Sequence, residues 1–86
     1  MGRYLAELYM SKQAADEVEG ATARARAAAA ETDGEGVPVR CLRSIFVPED
    51  ETWFLLYDAP TATAVRHAVD RAGLTCARVV EAVAPQ

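Results

Sequence analysis

The 86-residue chain contains one histidine, one tryptophan and two cysteines, and Lys12 is its only lysine. Each shortage excludes a class of function. With a single histidine there is no HExxH metal motif, and neither GxSxG nor a phosphate-binding glycine loop occurs, so the common catalytic signatures are absent. Cys41 and Cys76 stand far apart with no CxxC spacing, which predicts two reduced thiols rather than a zinc or redox motif. Acidic residues outnumber basic ones 13 to 9, for a formal charge of −4, and no basic stripe is available to neutralise nucleic-acid phosphates. No apolar run approaches the roughly 20 residues that span a bilayer, and the N-terminal residues hold no apolar signal core. The expected setting is cytoplasmic, without membrane or nucleic-acid partners.

Apolar residues are 51% of the chain, but 18 of them are alanine. Larger core-forming side chains are therefore few for one domain spanning residues 1–86. Short chains bury only about 60% of their unfolded surface, so a core diluted in this way points to help from a partner, a ligand or a metal.

Residues 3–9 (RYLAELY) read as a first strand, and Ser11 follows as a helix cap. From residue 13 to 31, Ala14, Val18, Ala21, Ala25, Ala28 and Ala29 recur at helical spacing, with acids near the start and arginines toward the end. Gly34, Gly36 and Pro38 stop that helix. Residues 39–47 (VRCLRSIFV) and 53–58 (WFLLYD) are rich in β-branched, aromatic and leucine side chains around an acidic turn, and predict a β-hairpin. Thr61 caps a second helix whose stripe is Ala62, Val65, Val69 and Ala72, with Gly73 as its stop. Residues 78–83 (RVVEAV) form the last strand. The order is βαββαβ, an α+β chain whose right-handed crossovers place both helices on one face of a four-stranded antiparallel sheet.

The other face has no helix to cover it, yet the third and fourth strands are apolar at successive positions. In the register we assign, Tyr4, Ala6 and Leu8 face the helices. The open face then carries Leu5, Tyr9, Cys41, Ile45, Leu55, Tyr57, Val79 and Val83, interrupted by Glu7, Arg43 and Glu81. A second copy of the chain is the simplest cover, which predicts a homodimer through the sheet face.

The segments LRSIFVPEDETWFLLYDAP (residues 42–60), AVRHAVDRAGL (64–74) and RVVEAV (78–83), with the opening RYLAELY, resemble the small bacterial nickel-binding, ferredoxin-like family over nearly the whole chain. The resemblance implies a ferredoxin-like dimer in the cytoplasm with a role in nickel binding. Two positions depart from the family pattern. Leu55 stands where a cysteine is common, and Thr75 and Cys76 stand where a proline usually follows the glycine and leucine.

Among single residues, His67 projects away from the apolar stripe of the second helix, and Asp70 at i+3 lies on the same side. Imidazole and carboxylate both suit nickel or zinc, so this pair is the candidate metal site; a solvated histidine is the plain alternative. Glu7, Tyr9, Arg43, Tyr57 and Glu81 form the alternative site, a small-molecule pocket on the open face of the kind used by dimeric α/β-barrel proteins, with Glu7 and Glu81 as neighbours. A Glu–Arg–Glu network at a dimer seam would use the same charges for structure alone. The acidic turn around Glu49, Asp50 and Glu51 lacks the spacing of a calcium loop and reads as a solvated hairpin end.

Overall fold

Tyr4, Ala6 and Leu8 alternate with Leu5, Glu7 and Tyr9 along strand β1 (Gly2–Tyr9), and the first set packs into the core as the alternation predicts. The computed structural model describes residues 1–83. Strand β1 lies between β3 (Thr52–Ala59) and β4 (Arg78–Ala82), and β2 (Arg40–Val47) pairs with the far side of β3. All three pairings are antiparallel, in the order β2-β3-β1-β4. Helices α1 (Val18–Gly34) and α2 (Ala62–Arg71) bury Ala21, Ala25, Ala29, Val65 and Val69 in one cluster with Leu8, Trp53, Leu55 and Tyr57. Both helices therefore cover the same face of the sheet, as right-handed crossovers require.

Helix α1 starts later than its alanine pattern suggests. Ser11 Oγ accepts a hydrogen bond from the Gln13 amide at 3.2 Å, but the cap opens a 3₁₀ segment, Lys12–Glu17, in which Ala14 departs from helical geometry. Regular α-helix begins only at Val18. Ala21, Ala25, Ala28 and Ala29 then form its buried stripe at i, i+4, i+7 and i+8. Alanine has little side chain to contribute, so the bulk between helix and sheet comes from Trp53, Leu55 and Tyr57 below. Thr32, also buried, returns its hydroxyl to the Ala28 carbonyl at 2.9 Å, which satisfies a polar group the core could not otherwise hold.

Helix α2 follows its signals closely. Thr61 Oγ1 accepts from the Ala64 amide at 3.1 Å, Ala64, Val65, Ala68 and Val69 are buried, and Gly73 supplies the left-handed turn, with φ of 76°, that ends it.

The acidic turn does more than solvate a hairpin. Pro48–Asp50 form a 3₁₀ turn, and Glu51 takes a left-handed φ of 49° that a side chain seldom adopts. The contacts Glu51 makes there account for it. Its carbonyl accepts from the Met10 amide at 3.1 Å and its carboxylate from the Lys12 amide at 3.1 Å, so the β2–β3 turn is tied to the exit of β1.

The expected faces need correction at three strands. Leu55 and Tyr57 are fully buried beneath the helices, because β3 pairs Leu55 with Ala6 and Tyr57 with Tyr4. With apolar residues on both sides of β3, period-two patterning could not fix its phase. In β2 the register slips between Cys41 and Arg43, leaving Leu42 as a bulged residue, so Cys41 pairs with Tyr57 on the helix side while Ile45 stays on the open face. In β4, Val79 pairs with Ala6 and packs against the core, and Glu81 pairs with Tyr4, which places both on the helix side. Val83 lies beyond β4 and is exposed.

Candidate functional site

The register arranges the open face in rows that run across the sheet. One row is Arg40, Asp58, Arg3 and Ala82; the next is Arg43, Leu56, Leu5 and Val80; the third is Ile45, Phe54, Glu7 and Arg78; the last is Val47, Thr52 and Tyr9. Leu5, Phe54, Leu56 and Val80 make an apolar centre that is only half covered, and Ile45 is 49% exposed. Charged residues lie around that centre. Glu7 and Arg78 form a cross-strand ion pair at 3.4 Å, which gives Glu7 a cation without a second carboxylate.

Of the five residues considered for an open-face pocket, Glu7, Tyr9 and Arg43 share that face. Tyr57 and Glu81 do not, and Glu7 and Glu81 sit on opposite sides of the sheet. Alternation carried β1 correctly and failed at β3 and β4. Arg78, which replaces Glu81 as the partner of Glu7, was visible as the first residue of the last strand. Only the β1–β4 register identifies the pairing.

His67 and Asp70 are both exposed on α2, one helical turn apart. His67 borders an apolar hollow of about 240 Å³ with Val37, Pro60, Thr61, Thr63 and Ala64. Beside it, Arg71 binds Glu35 closely and reaches Glu31 at 3.8 Å, joining the ends of the two helices. The Arg71 hydrogen bond holds the Glu35 carboxyl below the usual carboxylate range, and the charge of His67 acts in the same direction. No group of three or more His, Cys, Asp or Glu side chains is placed to hold a metal ion among the described residues.

Two polar features lie under the helices. Trp53 Nε1 donates to Ser44 Oγ at 2.7 Å, and Ser44 Oγ is also 2.8 Å from Thr22 Oγ1, a chain that leads from the core to the α1–β2 edge. The Tyr57 hydroxyl, by contrast, is buried without a hydrogen-bond partner among the described residues. Burial and the neighbouring Cys41 thiol push the Tyr57 pKa far above the usual phenol range, and burial raises the Cys41 thiol despite the opposing charge of Arg26. Neither group is poised to ionise near neutral pH. Cys76 is half-buried, with Arg66 Nη1 at 4.0 Å from its sulfur.

The βαββαβ order, the β2-β3-β1-β4 sheet and the one-sided helices define a ferredoxin-like α+β protein with an open sheet face. No helix among the described residues is long and apolar enough to cross a membrane. Its fold is similar to the crystal structure of SCO4226 from Streptomyces coelicolor A3(2), with a TM-score of 0.81 over 98% of this chain and 99% of that one. The two sequences are 19% identical, so the similarity establishes the shared fold. No protein-family model and no curated protein matches this chain.

Proposed function

We propose that the protein is a small cytoplasmic homodimer that pairs through its open sheet face and binds a divalent metal ion, with nickel suggested by the family resemblance. The observation that carries the association is the apolar centre of Leu5, Ile45, Phe54, Leu56 and Val80, which no element among the described residues covers. A second copy removes that surface from water and sets the charged rims of the two faces against each other.

For the metal, the support is narrower. One chain offers His67 and Asp70 on an exposed helix face, a nitrogen and an oxygen donor at i and i+3. Two donors are an incomplete shell, so water or a further carboxylate such as Glu35, released from Arg71, has to complete it. A dimer seam on the open face cannot, because α2 lies on the opposite side of the sheet. Modest affinity is expected, and His67→Ala should remove it. Calorimetric titration of metal-free protein with nickel and with zinc tests the reading, and no heat at micromolar protein would sink it. Light scattering tests the dimer; a monomer mass that stays constant with concentration contradicts it.

The second reading is a small-molecule-binding protein or small enzyme working at the same sheet face, favoured by the sharing of that face by Glu7, Tyr9 and Arg43. A thermal shift with a metabolite that disappears in Glu7→Gln would support it over the metal.

A further inference from the structure

We propose that the groove between α1 and the edge strand β2 binds the oxyanion of a small metabolite, a carboxylate or a phosphate, through Arg26 and the hydroxyl pair Thr22 and Ser44. The site rests neither on the metal nor on association through the open face.

A hollow of about 600 Å³ lies along this edge, within the size range of small-molecule sites. Thr22, Arg26, Leu42, Arg43 and Ser44 border it, with Glu19 at its rim. A second hollow of about 350 Å³ is also bordered by Arg26, together with Asp33, Arg40 and Cys41. Arg26 thus borders both hollows from the helix side, in a chain whose net charge is −4, while Arg40 and Arg43 belong to the open face by the β2 register. None of the three is in an ion pair among the described residues, whereas Arg71 and Arg78 are. A guanidinium group outside any ion pair and beside a concave wall is suited to bidentate binding of a carboxylate or phosphate.

The hydroxyl pair adds a donor that can be counted. The Trp53 indole can only donate, so Ser44 Oγ accepts from it. The Ser44–Thr22 bond uses one of the two hydroxyl protons, whichever way it points. One hydroxyl proton is left over, and both residues border the groove. Trp53 explains why Ser44 is polar, but it does not explain Thr22, which is only 9% exposed and, unlike the buried Thr32, does not return its hydroxyl to its own helix. The bulge at Leu42 belongs to the same wall, where an unpaired residue re-aims the strand beside the hollow.

Trp53 is the single tryptophan, so its indole N–H resonance reports on this hydroxyl pair without ambiguity. The test is titration of ¹⁵N-labelled protein with inorganic phosphate and, separately, succinate, at constant ionic strength set with chloride. The expected result is a saturable shift of the Trp53 indole and of the Thr22 and Ser44 amides with at least one anion. Arg26→Gln should weaken that binding by about tenfold or more and Thr22→Val by a few-fold, each with an otherwise unchanged free spectrum. Response to phosphate alone, succinate alone or both identifies the head group accepted. No saturable shift with either anion up to about 10 mM, or titration of Arg26→Gln identical to the parent, overturns the proposal.

Discussion

The two faces of the sheet are made from alternate residues of the same strands, yet they solve different problems. On the helix side, Trp53, Leu55 and Tyr57 fill the space beneath a helix whose inward residues are mostly alanine. The bulk is in the strands and the helix acts as a close-fitting lid. On the open side, Leu5, Phe54 and Leu56 are as large, but they are half exposed and bordered by Arg3, Arg43, Asp58 and the Glu7–Arg78 pair. A monomer core has no need of that border. Apolar centre and charged rim together support the association proposed for this face.

The sharpest way to break this comparison uses adjacent leucines. Leu55→Ala empties the centre of the covered face and should cost about 3 kcal/mol, read from urea denaturation. Leu56→Ala, one residue on and facing the other way, should cost about 1 kcal/mol in dilute protein, with the loss growing as concentration rises if copies associate there. Equal, concentration-independent losses would erase the distinction. Next in size, Ser44→Ala strands the buried Trp53 indole N–H and should cost about 1–2 kcal/mol, although it removes only one oxygen.

Tyr57→Phe should act in the opposite direction. Its hydroxyl has no partner to lose, so removing it relieves desolvation and should leave stability unchanged or raise it by up to about 1 kcal/mol. The pH dependence follows from the same burial. Cys41 and Tyr57 both have pKa values raised in the folded state, so as pH rises the unfolded chain gives up these protons first. Stability should therefore fall from about pH 8.5, where a free thiol ionises, and more steeply beyond about pH 10, where a free phenol does. In Tyr57→Phe the second, steeper part should be missing from thermal melts. The smallest effect belongs to Glu35, whose lowered pKa makes the Arg71 clip a stabilising contact above the ordinary carboxylate range that is lost on acidification. Glu35→Gln should flatten the acid limb of the same melts.

Much of this architecture was legible in the residues. Thr61 and Gly73 bracket α2, the alanine stripe marks α1, and β1 alternates cleanly enough to assign its faces. The remainder depended on what pairs with what. β3 reads apolar on both sides, so nothing local prefers one phase, and the assignments of Leu55, Tyr57 and Glu81 moved together once the pairing of β1 with its neighbours was known. Glu51 was hidden for another reason: its partners, the Met10 and Lys12 amides, are backbone groups distant in sequence. His67 and Asp70 share a helix face as their spacing implies, whereas Arg26 and the hydroxyl pair border one hollow only through the packing of α1 on β2.

The bulge at Leu42 has a consequence for how the chain tolerates change in length. It acts as a frame shift inside a strand: residues before it are set in one phase and residues after it in the other. Deleting Leu42 would remove the shift and leave Cys41, Ser44 and Phe46 inward and Arg40, Arg43 and Ile45 outward in plain alternation. The one residue of β2 that pairs with nothing is thus the one whose loss the strand's alternation absorbs, at the cost of the local bend it imposes.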